Sequence, residues 1–219
     1  MVESNTIVAE ALSDICDQLE ADKKAGKNFN DSLQKVLQGI VKKHKRVLFN
    51  GDNYTPAWHA EAKKRGLPNL KNTPEALEAI KVKKNMDVMV KHGVLSLKEI
   101  ASRYEINTHA YNTVIAIEGD CALTIARTQL IPAALEFQSG LTTSAKSVVQ
   151  KKLLKTVSGL IDKAIVAADT LEAAVDKHDS AKTNAAMLKL REAIDALEAY
   201  VPANIWPLPS YAQMLLMNA

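Results

Sequence analysis

At 219 residues the chain can hold one large domain or two small ones, and 47% hydrophobic with 24% charged residues excludes a disordered or collagen-like polymer. Aromatics make up only 5%, and Ala and Leu dominate, which favours close helix–helix packing over a sandwich or barrel. The net charge of +3, with 16 basic and 12 acidic residues in 1–94, is too small to call for nucleic acid or an anionic membrane.

Ile7, Val8, Ala11, Leu12, Ile15 and Leu19 fall at helical spacing and predict a first helix near 4–25, ended by Gly26. Leu33, Val36, Leu37, Ile40 and Val41 predict a second, started by Asn30 or Asp31. It ends in Lys42-Lys43-His44-Lys45-Arg46, where cations meet the negative end of the helix dipole. Gly51-Asp52-Asn53 is turn chemistry. Thr55-Pro56 and Thr73-Pro74 each read as an N-cap followed by Pro at the first helical position. They open short helices near 56–65 and 74–80. Another near 82–92 stops at Gly93.

Ser96-Leu97-Lys98-Glu99 is a capping box. The helix it opens keeps its apolar stripe, from Leu97 and Ile100 through Val114, Ile115 and Cys121, to about residue 138. Pro132 should kink it, and Gly140 should close it. Long helices near 143–177 and 181–200 follow, the first with Val148 and Val149 on its apolar side. Short links between long helices imply antiparallel neighbours. The tail from Ile205 and Trp206 to Met214, Leu215, Leu216 and Met217 is apolar for a terminus, so it docks either on its own core or on a neighbouring subunit. The expected fold class is therefore all-α: short N-terminal helices, a long antiparallel three-helix bundle and a docked apolar tail. The expected division is 1–94, containing the Asn50–Leu70 loop and helix block, and 95–219.

Cys16 and Cys121 each lie in a helical pattern and read as free intracellular thiols. No leader pattern and no apolar run near the roughly 20 residues of a membrane span is present, so no membrane partner and a cytoplasmic location are expected.

Common catalytic constellations are missing. There is no G-x-x-x-x-G-K-[ST], G-x-G-x-x-G, Cys-x-x-Cys or H-E-x-x-H. His44, His59, His92, His109 and His178 are scattered. His59 and Glu61, two apart, sit on different sides of a helix and make a poor metal pair. Glu118 could face the bundle core, with Arg127 or Arg103 as its partner. The best binding candidates are Asn50, Asp52, Trp58, His59 and Arg65. Arg grips phosphate, Trp stacks, and turn amides donate. The plainer reading of the same cluster is a pinned surface loop or subunit contact. Lys42, Lys43, Lys45, Arg46, Lys63, Lys64 and Arg65 form a basic face, but Asp52 and Glu61 interrupt it. It reads as solvated, with no nucleic-acid partner.

Blocks in fixed order resemble the C-terminal region of type III glutamine synthetases, the long-chain class found in bacteria. They are Asn5-Thr6-Ile7-Val8-Ala9-Glu10-Ala11-Leu12, Val47-Leu48-Phe49-Asn50-Gly51-Asp52, Trp58-His59 with Arg65-Gly66-Leu67-Pro68-Asn69-Leu70, Thr73-Pro74-Glu75-Ala76-Leu77, Lys91-His92-Gly93-Val94-Leu95-Ser96, Ser102-Arg103-Tyr104-Glu105, Leu130-Ile131-Pro132-Ala133-Ala134-Leu135 and Ile205-Trp206-Pro207-Leu208-Pro209. Where that family tends to have Gly after Asn-Gly-Asp, this chain has Asn53, which also tolerates positive φ. The resemblance implies a large cytoplasmic oligomeric ligase that joins ammonia to glutamate using ATP and Mg. It also implies that metal, ATP and glutamate ligands lie upstream of Asn5, so no catalytic residue, no metal ligand and no cofactor is expected within this chain. Expected partners are further copies of the chain or the upstream catalytic region. The expected role is assembly and structure. The alternative is a regulatory module that binds an effector or nucleotide at Asn50–Arg65.

Overall fold

Helix α1 spans Val2–Lys24, close to its predicted limits, and ends because Gly26 takes a φ of 73° that closes the last turn at little steric cost. The computed structural model describes residues 2–215, except for the Ala212 side chain, and structural statements refer to these. Leu216 and Met217 of the predicted tail lie outside the described residues.

Helix α2, Phe29–His44, packs on α1. Its cap is Asn28 and not Asn30 or Asp31. Asn28 Oδ1 accepts from the backbone N–H of Asn30 at 2.9 Å and of Asp31 at 3.3 Å. Three Asx residues in four positions are equivalent by propensity, and the turn leaving α1 selects among them.

Helices α3, Pro56–Lys64, α4, Thr73–Glu78, and α5, Lys83–Lys91, follow. Thr55 sits at the α3 cap position, but its hydroxyl donates to the Asp52 carbonyl at 2.9 Å instead of capping. The α4 cap is Asn72, which accepts from Glu75 N–H at 2.9 Å, so Thr73 is already helical. The sequence signature is one residue late there because Asn outranks Thr as a cap.

An acidic side chain ties α1 to α5. Glu10 Oε2 lies 2.7 Å from Lys91 Nζ and 2.6 Å from His92 Nε2. These hydrogen bonds, Lys91 first and then His92, hold the Glu10 carboxyl below the usual carboxylate range. A lowered folded-state value stabilises above the unfolded value of about 4.3, and that contribution fades as pH falls through the folded one. Amide exchange in α1, relative to the bundle helices, is therefore expected to rise below about pH 4. A Glu10→Gln chain, lacking this titration, should show a flatter acid dependence. Identical profiles for the two chains would remove the tie from the account.

Helix α6, Leu97–Ile125, starts at the predicted capping box: Ser96 Oγ accepts from Glu99 N–H at 3.3 Å, and Glu99 Oε2 accepts from Ser96 N–H at 2.8 Å. A widened π turn, Ala126–Leu130, then leads directly into α7, Ile131–Ser144. Pro132 lies just past that turn, which accommodates a residue with no N–H to give. Gly140 does not close the element. Leu141 beyond it packs on the core and carries the helix on to Ser144. Burial outweighs the roughly 1 kcal/mol that an interior Gly costs.

Helix α8, Val148–Val175, opens with a Ser147/Gln150 capping box, and α9, Ser180–Glu198, with Asp179 accepting from Lys182 N–H at 3.0 Å. Residues 145–147 and 176–179 are too short to allow anything but antiparallel neighbours. Two side-chain pairs give the register of α8 against the preceding helical run. Arg127 meets Glu172 at 2.6 Å, and Gln138 meets Ser158 at 2.7 Å, so one strand of pairing advances as the other retreats. All described secondary structure is helical, as expected.

The chain divides into two compact units, 1–108 and 109–219, with the division inside α6. The second holds one contiguous core built on Val157, Ile161, Leu171, Leu190 and Leu197. Alanines of α7, α8 and α9, among them Ala134, Ala164, Ala168 and Ala186, are buried between them and let the helices close up. Several expected stripe residues are instead on the surface: Leu97, Val114, Cys121, Val148 and Val149. Glu118 is exposed as well, and its neighbour Gly119 is the buried one. Arg127, offered as a partner for Glu118, pairs with Glu172 and Asp169 of α8.

After α9 the chain turns at Pro202, whose carbonyl accepts from Trp206 N–H at 3.0 Å. Val201 and Trp206 join the core, so the tail docks on its own unit at this point. Beyond it, Leu208, Tyr211, Met214 and Leu215 are exposed, and Tyr211–Leu215 forms the short helix α10.

Candidate functional site

The stretch from Val47 to Leu70 is built around Arg65, at the C-terminus of α3. Its Nε donates to Glu61 Oε1 at 2.6 Å, one turn back on the same helix. Its Nη1 donates to the Leu48 carbonyl at 2.6 Å and the Arg46 carbonyl at 3.2 Å. Hydrogen bonding to Arg65 holds the Glu61 carboxyl below its usual range. The guanidinium also lies 5.8 Å from the centre of the Trp58 ring, which packs at 4.5 Å against Phe49. So α3 grips the incoming chain through one cation and one aromatic pair.

The turn between them is closed locally. Asp52 Oδ1 accepts from Tyr54 N–H at 2.9 Å, an Asx turn. A Cβ on Gly51 would come within 2.8 Å of the Phe49 ring, so a side chain there would displace that ring from its contact with Trp58. His59 Nδ1 lies 3.4 Å from Asn69 Nδ2, linking α3 to the segment before α4. Asn50 is exposed. Of the five sequence candidates, Trp58 and Arg65 are brought together, Asp52 closes the turn, His59 holds the following segment, and Asn50 makes no part of the cluster. Phe49 and Glu61 complete the arrangement without having been candidates. Glu61, four residues before Arg65, was readable as a helical pair. The stacking of Phe49 on Trp58 spans a loop and was not.

Chemically, this is a pinned loop. Two of the three guanidinium nitrogens of Arg65, Nε and Nη1, donate to a carboxylate and to backbone carbonyls. Arg65→Ala should release residues 48–55. Chymotryptic cleavage at Phe49 or Tyr54 is expected to speed up, while the melting midpoint shifts by no more than about 5 °C. Unchanged cleavage would show that the loop is held by something else.

Among the described residues, no group of three or more His, Cys, Asp or Glu side chains could hold a metal ion. The residues present do not fit the metal that the resemblance implies, and no chemical step is derived through it. No helix among the described residues is long and apolar enough to cross a membrane.

Comparison with known proteins agrees with the sequence blocks. The type-3 glutamine synthetase of Dictyostelium discoideum is 30% identical over 98% of this chain and 32% of its own length. The glutamine synthetase of Butyrivibrio fibrisolvens is 31% identical over 87% of this chain and 30% of its own length. That of Bacteroides fragilis (strain YCH46) is 24% identical over 98% and 33%. The chain thus spans about a third of the length of the curated relatives it matches. The family described as glutamine synthetase C-terminal domain matches residues 32–149, more than half of the chain. The chain belongs to that family, as the C-terminal part of a type III glutamine synthetase.

Proposed function

We propose that this chain serves the assembly and shape of a cytoplasmic, oligomeric glutamate–ammonia ligase rather than its chemistry. ATP and Mg would then be held by the part of the enzyme upstream of it. One observation carries the reading. Among the described residues of 1–108, only Val36, Ala62, Leu77 and Ile100 are buried apolar side chains, while Ile7, Val8, Leu12, Phe29, Leu37 and Val41 lie exposed. A unit of this size with so small a core is stable only when something covers it.

The test is deletion of this region from the full-length enzyme, followed by sedimentation velocity and synthetase assay. The expected result is loss of the native oligomer together with activity. A truncated enzyme that assembles and turns over normally would overturn the reading, as would a full-length enzyme that is itself monomeric.

A further inference from the structure

Asn50 lies between the two fixed points of the loop and belongs to neither. Upstream, Arg65 holds the Leu48 carbonyl at 2.6 Å. Downstream, the Asx turn from Asp52 Oδ1 to Tyr54 N–H closes at 2.9 Å. Asn50 and Gly51 are both exposed and lie outside any helix. Among the described residues, neither the Asn50 side chain nor the Gly51 N–H makes a hydrogen bond. Asn50-Gly51 is also the only Asn-Gly pair in the sequence.

We propose that Asn50 is a self-modification site: it deamidates through attack by the Gly51 backbone nitrogen, and the product loosens the Phe49–Trp58 contact. The reaction needs a side-chain amide free of other hydrogen bonds. It needs a following backbone nitrogen that is free to lose its proton. It also needs an open approach, which Gly51 gives because it has no side chain to shield its nitrogen or restrict the rotation that brings it to Asn50 Cγ. Other asparagines lack one or more of these. Asn28 and Asn72 use their side chains as caps, Asn85 donates to the Ala79 carbonyl and Asn184 to the Tyr111 hydroxyl. Every asparagine but Asn50 is followed by a residue with a side chain.

The step balances without an oxidant or reductant. Hydroxide takes the Gly51 amide proton, and that nitrogen bonds to Asn50 Cγ. The Cγ–Nδ2 bond breaks, and Nδ2 takes a proton from water and leaves as ammonia. Water then opens the cyclic imide. Attack at Cγ gives aspartate, and attack at the backbone carbonyl carbon gives isoaspartate, whose main chain runs through Cβ and Cγ. Isoaspartate therefore lengthens the main chain by one carbon between Phe49 and Gly51. The Phe49 ring packs at 4.5 Å on Trp58 and also lies against Gly51. Because the chain is held on both sides, the added length is taken up at this point and moves the ring.

The experiment incubates the folded full-length synthetase below its melting midpoint in mildly alkaline buffer and samples it over time. Peptide mass spectrometry follows the amide-to-acid mass gain at each asparagine of this region, and a protein isoaspartyl methyltransferase labels the isoaspartyl product. Asn50 is expected to convert several-fold faster than any other asparagine of the region, faster again as pH rises, with isoaspartate as the major product. Chymotryptic cleavage after Tyr54 reads the contact. It should speed up several-fold in the aged enzyme. It should keep the fresh rate in Asn50→Gln aged in parallel, and in fresh Asn50→Asp, which carries the charge without the extra carbon. An Asn50 amide that outlasts the other asparagines overturns the site. Cleavage unchanged by ageing, or raised equally in aged Asn50→Gln, overturns the loosening. Cleavage raised as much by Asn50→Asp overturns the chain lengthening as its cause.

Discussion

Trp206→Ala is expected to lower the unfolding free energy of the chain by about 3–5 kcal/mol, the usual range for emptying a buried aromatic site. Trp206 is 7% exposed and belongs to the same core cluster as Leu171, Leu190 and Leu197, although it lies beyond the last bundle helix. Its backbone is fixed by the Pro202 carbonyl, so the site cannot readily collapse onto the space left behind. Trp206→Phe is the informative companion. The indole Nε1 is buried with no partner among the described residues, and Phe removes that donor while keeping most of the ring. Its cost should stay below about 1.5 kcal/mol. Urea midpoints at constant m-value measure both. A Trp206→Ala chain that unfolds at the parental midpoint would mean that the tail does not dock in cis in solution.

Gly119→Val should be the other severe change, costing about 1–3 kcal/mol and falling near the upper end. Gly119 lies inside α6, facing α8 and α9. A Cβ there would sit 2.8 Å from Thr183 Cγ2 and 2.8 Å from Val175 Cγ2. Both contacts are with short β-branched side chains, which have few rotamers to retreat into. Thr183 is 2% exposed, so it has nowhere to move. Gly119→Ala gains roughly 1 kcal/mol of helix propensity against the same clash and should be milder, though still destabilising. Thermal unfolding of the two chains beside the parent orders them. If Gly119→Ala were more stable than the parent, the close approach of α6 to the α8–α9 corner would be wrong.

Much of this molecule was legible in its residues. The helices are long, their starts carry strong chemical marks, and the marks act within four residues. Ser96 with Glu99 before α6 and Gly93 after α5 were readable because capping is local. The family was readable too, because ordered blocks run along the whole chain. Errors arose where several residues compete for one role or where burial outweighs propensity. Asn28 displaced Asn30 and Asp31 at a cap, Asn72 displaced Thr73, and Leu141 carried α7 through Gly140.

The rotation of each helix about its axis was not legible. α6 has apolar residues on several sides, so periodicity alone could not say that Gly119 faces inward and that Glu118, Val114 and Cys121 face out. Nor could it say that alanines would form much of the interface while Val148 and Val149 stay wet. The candidate site divides the same way. Glu61 and Arg65 are a helical pair that sequence spacing reveals, whereas the two carbonyls that occupy Arg65 lie 17 and 19 residues earlier in the chain. The sequence by itself determined helix content, most helix ends and family, because these depend mainly on neighbours along the chain. Only the tertiary structure decided which faces are covered, how the Arg65 donors are used, and where the tail docks, because these depend on which side chains packing brings together from distant positions.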